Sequence, residues 1–299
     1  MRILISGSSG LIGTALVGHL RNGGHTVVRL VRRPASGEGE LTWDPAAGTL
    51  APSALDGVDA VINLSGAGIG DHRWTDDYKR ELLDSRLQTT ELLARSIAAA
   101  DTKPAVFLSG SAIGWYGPRG DEKLDESTPN PGDTYLASIC VQWEAATAAA
   151  EEAGVRTAHL RTGIVLTAAG GALKKQLPLF KFGLGGKFGK GGQWQSWISL
   201  PDEVAAITSL LEGDVSGPVN LTAPNPVTNA EFTTTLGSVL GRPTFLPIPS
   251  FGPKALLGSE LADALLFTGQ RVVPTVLERS GFTFQHPTLE IALRALLGK

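Results

Sequence analysis

Cysteine is almost absent from this sequence, and long apolar runs are missing altogether. One cysteine among 299 residues excludes an internal disulfide framework and any metal site built from several cysteines, and it is typical of a reducing compartment. No run reaches the roughly 18 apolar residues that a membrane-spanning helix needs. The apolar segment at the N-terminus is also too short for the core of a signal peptide. We therefore expect a soluble, cytoplasmic protein.

An excess of charge of either sign is missing too. The chain has 26 Lys and Arg against 29 Asp and Glu, a formal net charge of −3, so we do not expect it to bind nucleic acid. The 5 histidines lack the spacing of metal ligands, and we expect no metal site. With 42% hydrophobic and 18% charged residues, the chain can form a large core instead of remaining disordered.

Short β-branched apolar runs alternate with helical stretches through the first half of the chain. This alternation predicts an α/β fold, a doubly wound parallel sheet with helices on both faces. We expect this domain to cover residues 1–165, with one strand returning near 219–222. A smaller C-terminal region, 166–299, would line a substrate cleft and end in a subdomain at about 250–299. The predicted strands are 2–6, 26–31, 60–64, 105–109 and 157–161, and the predicted helices include 11–22, 75–100 and 134–153.

A glycine-rich motif, GSSGLIG at 7–13, joins the first predicted strand to the first predicted helix. Small residues let the backbone approach a pyrophosphate closely, and free amides at the positive end of a helix attract its charge. A tight turn without a ligand is the alternative interpretation. The motif predicts cofactor contacts from Gly7, Ser9, Gly10, Leu11, Ile12 and Gly13.

The end of the second predicted strand indicates which dinucleotide binds. An NAD-binding protein would place an acidic residue there, but this chain has Arg32 and Arg33. Guanidinium groups match a 2′-phosphate in charge and geometry, so the pair favours NADP(H), with Arg32 as the first choice. An ordinary solvated strand end is the alternative.

One other strand end is predicted to contact the cofactor, because ligands lie at the carboxyl ends of parallel strands. It carries the small residues after Asn63, which leave room for the adenosine ribose and the pyrophosphate. An ordinary turn is the alternative interpretation. The predicted contacts are Leu64, Ser65, Gly66 and Ala67.

Four features resemble the extended short-chain dehydrogenase/reductase superfamily, the NAD-dependent epimerase/dehydratase type: the glycine motif and the segments 63–67, 109–117 and 126–135. Shorter segments are similar to the "epimerase family" proteins that carry a dedicated C-terminal domain. The resemblance implies a Rossmann domain that binds NADP(H), and a cleft against the C-terminal part. It also implies that the backbone after Arg161, at Gly163, Ile164 and Val165, lines the nicotinamide. The shorter segments are 85–86, 111–117, 143–144, 170–173, 196–198, and Pro274 before Gly281-Phe282.

The resemblance also implies a catalytic pair, Ser111 and Tyr135, with a lysine one helical turn after the tyrosine. That position is Ile139, although a tyrosine with a pKa near 10 needs a cation to favour its phenolate. Three interpretations stay open: another cation replaces the lysine, the reaction needs a weaker base, or the protein binds NADPH without catalysis. Tyr116 is an alternative hydroxyl. The candidate cations are Lys79, Arg86, Lys123, Lys174, Lys187 and Lys190.

Aromatic and polar residues after the glycine-rich stretch 183–192 suit a small polar ligand, although the same residues could fix a loop to the core. We expect an NADP(H)-dependent oxidoreductase or epimerase-like enzyme acting on a small hydroxyl, carbonyl or nucleotide-sugar substrate. The alternative is a noncatalytic NADPH-binding sensor or assembly factor. A homodimer through helices 75–100 and 134–153 would follow the superfamily. The predicted substrate contacts are Arg73, Trp74, Gln193, Trp194 and Trp197.

Overall fold

Seven parallel strands form the central sheet of the computed structural model, which describes residues 1–299. They lie in the order β3-β2-β1-β4-β5-β7-β11, the doubly wound arrangement that the alternating pattern predicts. The sheet strands are β1 (Arg2–Ser6), β2 (Thr26–Val31), β3 (Glu40–Thr42), β4 (Ala60–Asn63), β5 (Val106–Ala112), β7 (Arg156–Thr162) and β11 (Gly217–Leu221). The shorter strands are β6 (Lys123–Leu124), β8 (Ile164–Leu166), β9 (Trp194–Gln195), β10 (Trp197–Ser199), β12 (Val227–Thr228) and β13 (Arg271–Val272).

Eleven α-helices cover the sheet and build the C-terminal part. Leu16 and Leu20 of α1 pack with α6 on one face, and Leu93 and Ile97 of α2 pack with α4 on the other. No helix has the length and apolar character needed to cross a bilayer. The helices are α1 (Leu11–Asn22), α2 (Asp76–Ala99), α3 (Tyr135–Ala145), α4 (Ala148–Glu152), α5 (Gly171–Lys181), α6 (Leu200–Glu212), α7 (Asn229–Leu240), α8 (Phe251–Leu257), α9 (Ser259–Ala262), α10 (Thr275–Arg279) and α11 (Leu289–Leu297).

The C-terminal part has its own apolar core, in which α5, α7 and α11 pack around Trp197 and Phe232. Three two-stranded pairs connect the parts of the chain: β8 with β10, β9 with β12, and β6 with β13. The last pair joins the segment after β5 to the segment before α10. The C-terminal part is therefore held against the carboxyl ends of the sheet strands, where a ligand site forms in such folds.

The prediction of one helix over 134–153 is wrong, because the structure divides this segment into α3 and α4. The amide of Thr147 donates to the carbonyl of Glu144, three residues back, instead of the residue four back. The Thr147 hydroxyl donates to the same carbonyl at 2.7 Å. Threonine competes in this way with the regular helical pattern, and the helix breaks at this point.

Candidate functional site

The glycine motif forms a tight loop against the end of β4. Gly7 has a φ of +69°, and a Cβ atom there would lie 2.4 Å from the Leu64 carbonyl carbon. A Cβ atom at Gly13 would lie 2.3 Å from the Gly7 carbonyl oxygen. Any larger residue at either position would push backbone against backbone. The glycines therefore hold the start of α1 directly beside residues 64–65.

The first turn of α1 is open to a ligand. Gly10, the N-cap, has no side chain that could cap the helix. The amides of Leu11 and Ile12 donate to no backbone acceptor, and Ser9 and Gly10 are exposed. Unsatisfied amides at the positive end of a helix bind phosphate oxygens. The loop therefore fits the pyrophosphate of a dinucleotide.

The two arginines after β2 have different environments. Both Arg33 η-nitrogens donate to the Glu40 carboxylate at 2.7 Å, and Arg29 donates to the same group. The hydrogen bonds from Arg33, followed by those from Ser36, hold the pKa of Glu40 far below its usual range. Arg32 is exposed and takes part in no ion pair. Of the two, Arg32 is the guanidinium that is free to bind a phosphate.

Hydrogen bonds with buried polar side chains hold the loop after β4 in place. The Asn63 side chain accepts from the Ser6 hydroxyl at 2.5 Å and donates to the Thr90 hydroxyl at 2.8 Å. Ser85 and Arg86 of α2 bind the amide and the carbonyl of Ala67, at 3.0 Å each. Residues 64–67 consequently line one side of the site with a set backbone conformation.

A cleft of about 210 Å³ lies beyond this loop, between the sheet and the C-terminal part. Ala112 at the end of β5 and Gly163 after β7 form its floor. Leu136, Ile139, Cys140 and Trp143 of α3 form one wall, and residues 193–196 with 264–266 and 268–270 form the other. The cleft is thus mostly apolar, with a few polar groups, as small-molecule sites commonly are.

Ser111 lies in a buried hydrogen-bond network next to the cleft. Its hydroxyl donates to Glu144 Oε1 at 2.6 Å. The Arg161 guanidinium binds both oxygens of Glu144 at 2.8 Å and lies over the Trp115 ring, 3.8 Å from its centre. Burial lowers the pKa of Arg161, but the hydrogen bond and charge of Glu144 more than offset it, so this pKa is raised. Ser111 therefore has a protein acceptor already.

Tyr116 belongs to the same network. Its hydroxyl donates to Asn220 Oδ1 at 2.8 Å and accepts from Arg161 at 3.2 Å. Burial raises the pKa of this phenol to about 12, so it stays protonated at neutral pH. Asn220 in turn donates to the carbonyl of Val273. Tyr116, the alternative hydroxyl, thus links the sheet to the C-terminal part through Asn220.

Tyr135 faces α2 and does not line the cleft. Its hydroxyl donates to the carbonyl of Lys79 at 2.6 Å, and its ring packs edge-on against Trp74. Burial raises the pKa of this phenol, against a smaller opposite effect of Arg86. The hydroxyls of Ser111 and Tyr135 share no partner. On α3 the cleft is lined instead by Leu136, Ile139, Cys140 and Trp143.

The predicted substrate contacts divide into two groups. Gln193 and Trp194 line the cleft, whereas Trp197 is fully buried in the C-terminal core and donates to Asn225. Arg73 donates to the carbonyls of Ala255 and Leu256, and Trp74 donates to that of Ile69. Among the other predicted contacts, Gly163 and Ile164 line the cleft and Val165 does not.

Of the candidate cations, only Arg86 lines the cleft. It is only 7% exposed, and its guanidinium lies 4.9 Å from the centre of the Trp143 ring. Lys79 instead pairs with Glu260 at 2.6 Å. Sequence reasoning missed the pair of Glu144 and Arg161, although Trp143-Glu144 was among the resembling segments and could have drawn attention to it.

Comparisons with known proteins agree with this geometry. The family model described as "NAD dependent epimerase/dehydratase family" matches residues 3–221, and that of a domain of unknown function, DUF1731, matches residues 248–296. "Epimerase family protein Mb2239" of Mycobacterium bovis is 48% identical over 292 residues, 97% of this chain and 96% of its own length. "Epimerase family protein SDR39U1" of Homo sapiens is 37% identical over 300 residues, 99% of this chain and 100% of its own length.

A solved structure shows the same fold. The crystal structure of human epimerase family protein SDR39U1 (isoform2) with NADPH has a TM-score of 0.91 to this structure at 36% identity, and the match covers 100% of both chains. The family match extends over most of the sheet and includes both the glycine loop and the strand ends that line the cleft. The chain belongs to the NAD dependent epimerase/dehydratase family.

Proposed function

We propose that this protein binds NADP(H) and acts as an oxidoreductase or epimerase-like enzyme on a small hydroxyl, carbonyl or nucleotide-sugar substrate. The observation that carries the proposal is the continuity of the site. The open first turn of α1 lies beside residues 64–65, and that loop leads through Arg86 to a partly apolar cleft. A dinucleotide extended along this path would have its phosphates at one end and its nicotinamide at the other.

The residues present fit NADP(H). The glycine loop and the free amides of Leu11 and Ile12 would hold the pyrophosphate, and Arg32 would hold the 2′-phosphate. Glu40, an acidic residue on the neighbouring strand β3, is occupied by Arg29 and Arg33. It is therefore not free to accept hydrogen bonds from an unphosphorylated ribose. The NADPH in the human relative's crystal structure supports the same choice.

Hydride exchange with a substrate carbon is the chemistry that the nicotinamide supplies when bound. The chain's own residues would position the reactants: Ala112 and Gly163 leave space at the strand ends, and Ile139 and Trp143 exclude water from one wall. Ser111 and Tyr135 stay the proposed catalytic residues. Their hydroxyls now donate to Glu144 and to the Lys79 carbonyl, so catalysis would require each to exchange this acceptor for the substrate oxygen.

Arg32→Ala tests the cofactor assignment. We expect the variant to lose about 1 to 3 kcal/mol of NADPH binding free energy, the value of a charge-assisted phosphate contact, and to bind NADH as the wild type does. Isothermal titration calorimetry with both cofactors measures the difference. Arg80→Ala is the control, since Arg80 is exposed and pairs only with Asp77. Equal losses for the two cofactors would contradict the assignment.

A noncatalytic NADPH-binding sensor is the second candidate, and the orientation of Tyr135 favours it. Tyr135→Phe separates the two functions, with Tyr78→Phe as the control because the Tyr78 hydroxyl also donates to a carbonyl, that of Gly68. An enzyme that uses Tyr135 should lose most of its NADPH oxidation with aldehydes, ketones or nucleotide sugars in the first variant only. A sensor should oxidise NADPH at the background rate in all three proteins, with unchanged NADPH binding.

The partner and compartment predictions stay part of this proposal. A homodimer would use the exposed faces of α2 and α3, and light scattering on the eluting protein would measure its mass. A cytoplasmic, reducing setting accords with the single thiol, which is buried.

A further inference from the structure

The cleft contains one charged side chain, Arg86. Its charge has no carboxylate partner, because no ion pair in the structure includes Arg86. Burial lowers the pKa of this guanidinium, which shows that its surroundings disfavour the charge. A buried charge is costly unless an opposite charge and hydrogen bonds compensate for it. The position therefore suits an anionic ligand.

The hydrogen bonds of Arg86 leave part of the guanidinium free. One η-nitrogen donates to the carbonyl of Leu82 at 2.7 Å and the other to that of Ala67 at 3.0 Å. These bonds occupy two of the five N–H groups of an arginine and fix its plane. The Trp143 ring at 4.9 Å adds a cation–π contact, which compensates only partly for the lost hydration. The guanidinium is thus pre-oriented, with donors left for a planar anion.

The opposite wall of the cleft offers a hydrogen-bond acceptor. Gln195 lines the cleft, and its Oε1 atom is buried with no hydrogen-bond partner. A buried acceptor without a donor is unfavourable, and a hydroxyl group of a ligand would satisfy it. Apolar residues such as Ile113, Leu136 and Leu265 also line the cleft. The cleft therefore combines an anion-binding group with a hydroxyl-binding group.

We propose that the substrate is a small carboxylic acid that carries a hydroxyl or carbonyl group, with its carboxylate bound by Arg86 and its hydroxyl directed to Gln195. This inference rests on the proposed function and specifies its substrate class. The pyrophosphate of the cofactor is the other anion within the site. It is assigned to the first turn of α1, and no residue of the loop 7–13 lines the cleft that contains Arg86.

The experiment compares an acid with its uncharged amide. Short 2- and 3-hydroxy acids and the matching amides are titrated into the full-length protein saturated with NADP⁺, and binding is measured by calorimetry. The variants are Arg86→Met, which removes the charge, and Arg86→Lys, which keeps the charge but not the planar fork. Arg95→Met is the matched control, since Arg95 lies on the same helix and pairs only with exposed Glu91. NADPH affinity is measured for each variant.

In the wild type and in Arg95→Met, at least one acid should bind at least about ten times more tightly than its amide. Arg86→Met should abolish this preference and Arg86→Lys should reduce it. Because Arg86 also holds the Ala67 loop beside the cofactor, NADPH affinity should fall in Arg86→Met as well, but by a smaller factor than acid binding. The proposal is overturned if no acid binds the wild type better than its amide, a comparison that does not depend on any variant folding. It is also overturned if Arg86→Met weakens NADPH as much as it weakens the acid, because Arg86 would then serve the cofactor.

Failure of the proposed function has a different signature. A wild type that binds neither NADPH nor NADH would refute cofactor binding. The acid and amide titrations, repeated without cofactor, would then still decide whether Arg86 binds a carboxylate.

Discussion

Two arginines are buried close to the carboxyl ends of the sheet strands, and their surroundings differ in one respect. Arg161 is paired with both oxygens of Glu144, and its network extends through Ser111 and Tyr116. Arg86 has backbone carbonyls and an indole ring but no carboxylate. The first charge is therefore part of the framework, whereas the second is available to a ligand. Two changes test this difference directly, and a third tests how a buried group without an opposite charge is neutralised.

Glu144→Gln should have the largest effect, because it leaves the Arg161 charge buried without compensation. Breaking a buried pair in this way costs about 3 to 5 kcal/mol of unfolding free energy. Equilibrium denaturation in urea measures it. The control is Glu290→Gln, which removes an ion pair of two exposed side chains on α11 and should cost no more than about 1 kcal/mol. A similar small loss at Glu144 would contradict the framework role.

Arg86→Met should have a much smaller effect on stability. The substitution leaves no opposite charge behind, and it removes the desolvation penalty of the guanidinium. The loss should therefore be limited to the hydrogen bonds with two backbone carbonyls, about 1 to 2 kcal/mol in all. The same urea denaturation applies, with Arg95→Met as the control. If the loss equals that of Glu144→Gln, Arg86 is a framework residue like Arg161, and the contrast between the two arginines disappears.

Glu203→Gln should change the pH dependence of stability and leave stability near pH 4.5 almost unchanged. Burial raises the pKa of Glu203 to about 8 from its ordinary 4.5, against a smaller lowering by its hydrogen bond with Thr162. Between these values the folded state binds the proton more tightly than the unfolded state, so this group makes stability fall as pH rises. Because glutamine does not titrate, the Glu203→Gln variant should lack this decrease in stability. Urea denaturation at pH 5, 6.5 and 8 measures it.

The control for this last variant is Glu152→Gln at an exposed position on α4, which should keep the wild-type slope. Parallel curves for wild type and Glu203→Gln would show that Glu203 does not titrate in this range. Glu203, like Arg86, has no opposite charge, but a carboxyl group can become neutral by binding a proton. An arginine cannot become neutral at physiological pH. The buried charge of Arg86 is therefore compensated only if an anion binds beside it, as we propose.

Most of the sheet could be predicted because each strand follows from a local apolar pattern. The superfamily resemblance is confirmed by the family match over residues 3–221. Strand β5 is longer than the predicted 105–109 and continues to Ala112. Gly110 and Ser111 look like loop residues in sequence, but pairing with Leu160 and Arg161 of β7 keeps them in the sheet. Pairing between distant segments overrides local preference in such cases.

The site was less predictable than the fold, because the direction of a side chain on a helix depends on what packs around that helix. Tyr135 was placed in the cleft by the superfamily pattern, whereas the structure turns its hydroxyl to the Lys79 carbonyl. Arg86 was one of several candidate cations, and no local signal separated it from Lys79. The packing of α2 against α3 buries Arg86, whereas Lys79 stays paired with the exposed Glu260. Only the tertiary structure shows this difference.

The sequence by itself determined the order of strands and helices, the glycine loop and the basic strand end, because each depends on residues that are neighbours in the chain. The tertiary structure decided which charges are compensated. Residues 144 and 161, or 86 and 143, come together only when the helices pack on the sheet. Whether a buried charge is neutralised depends on that distance, since the interaction weakens with separation and with access to water.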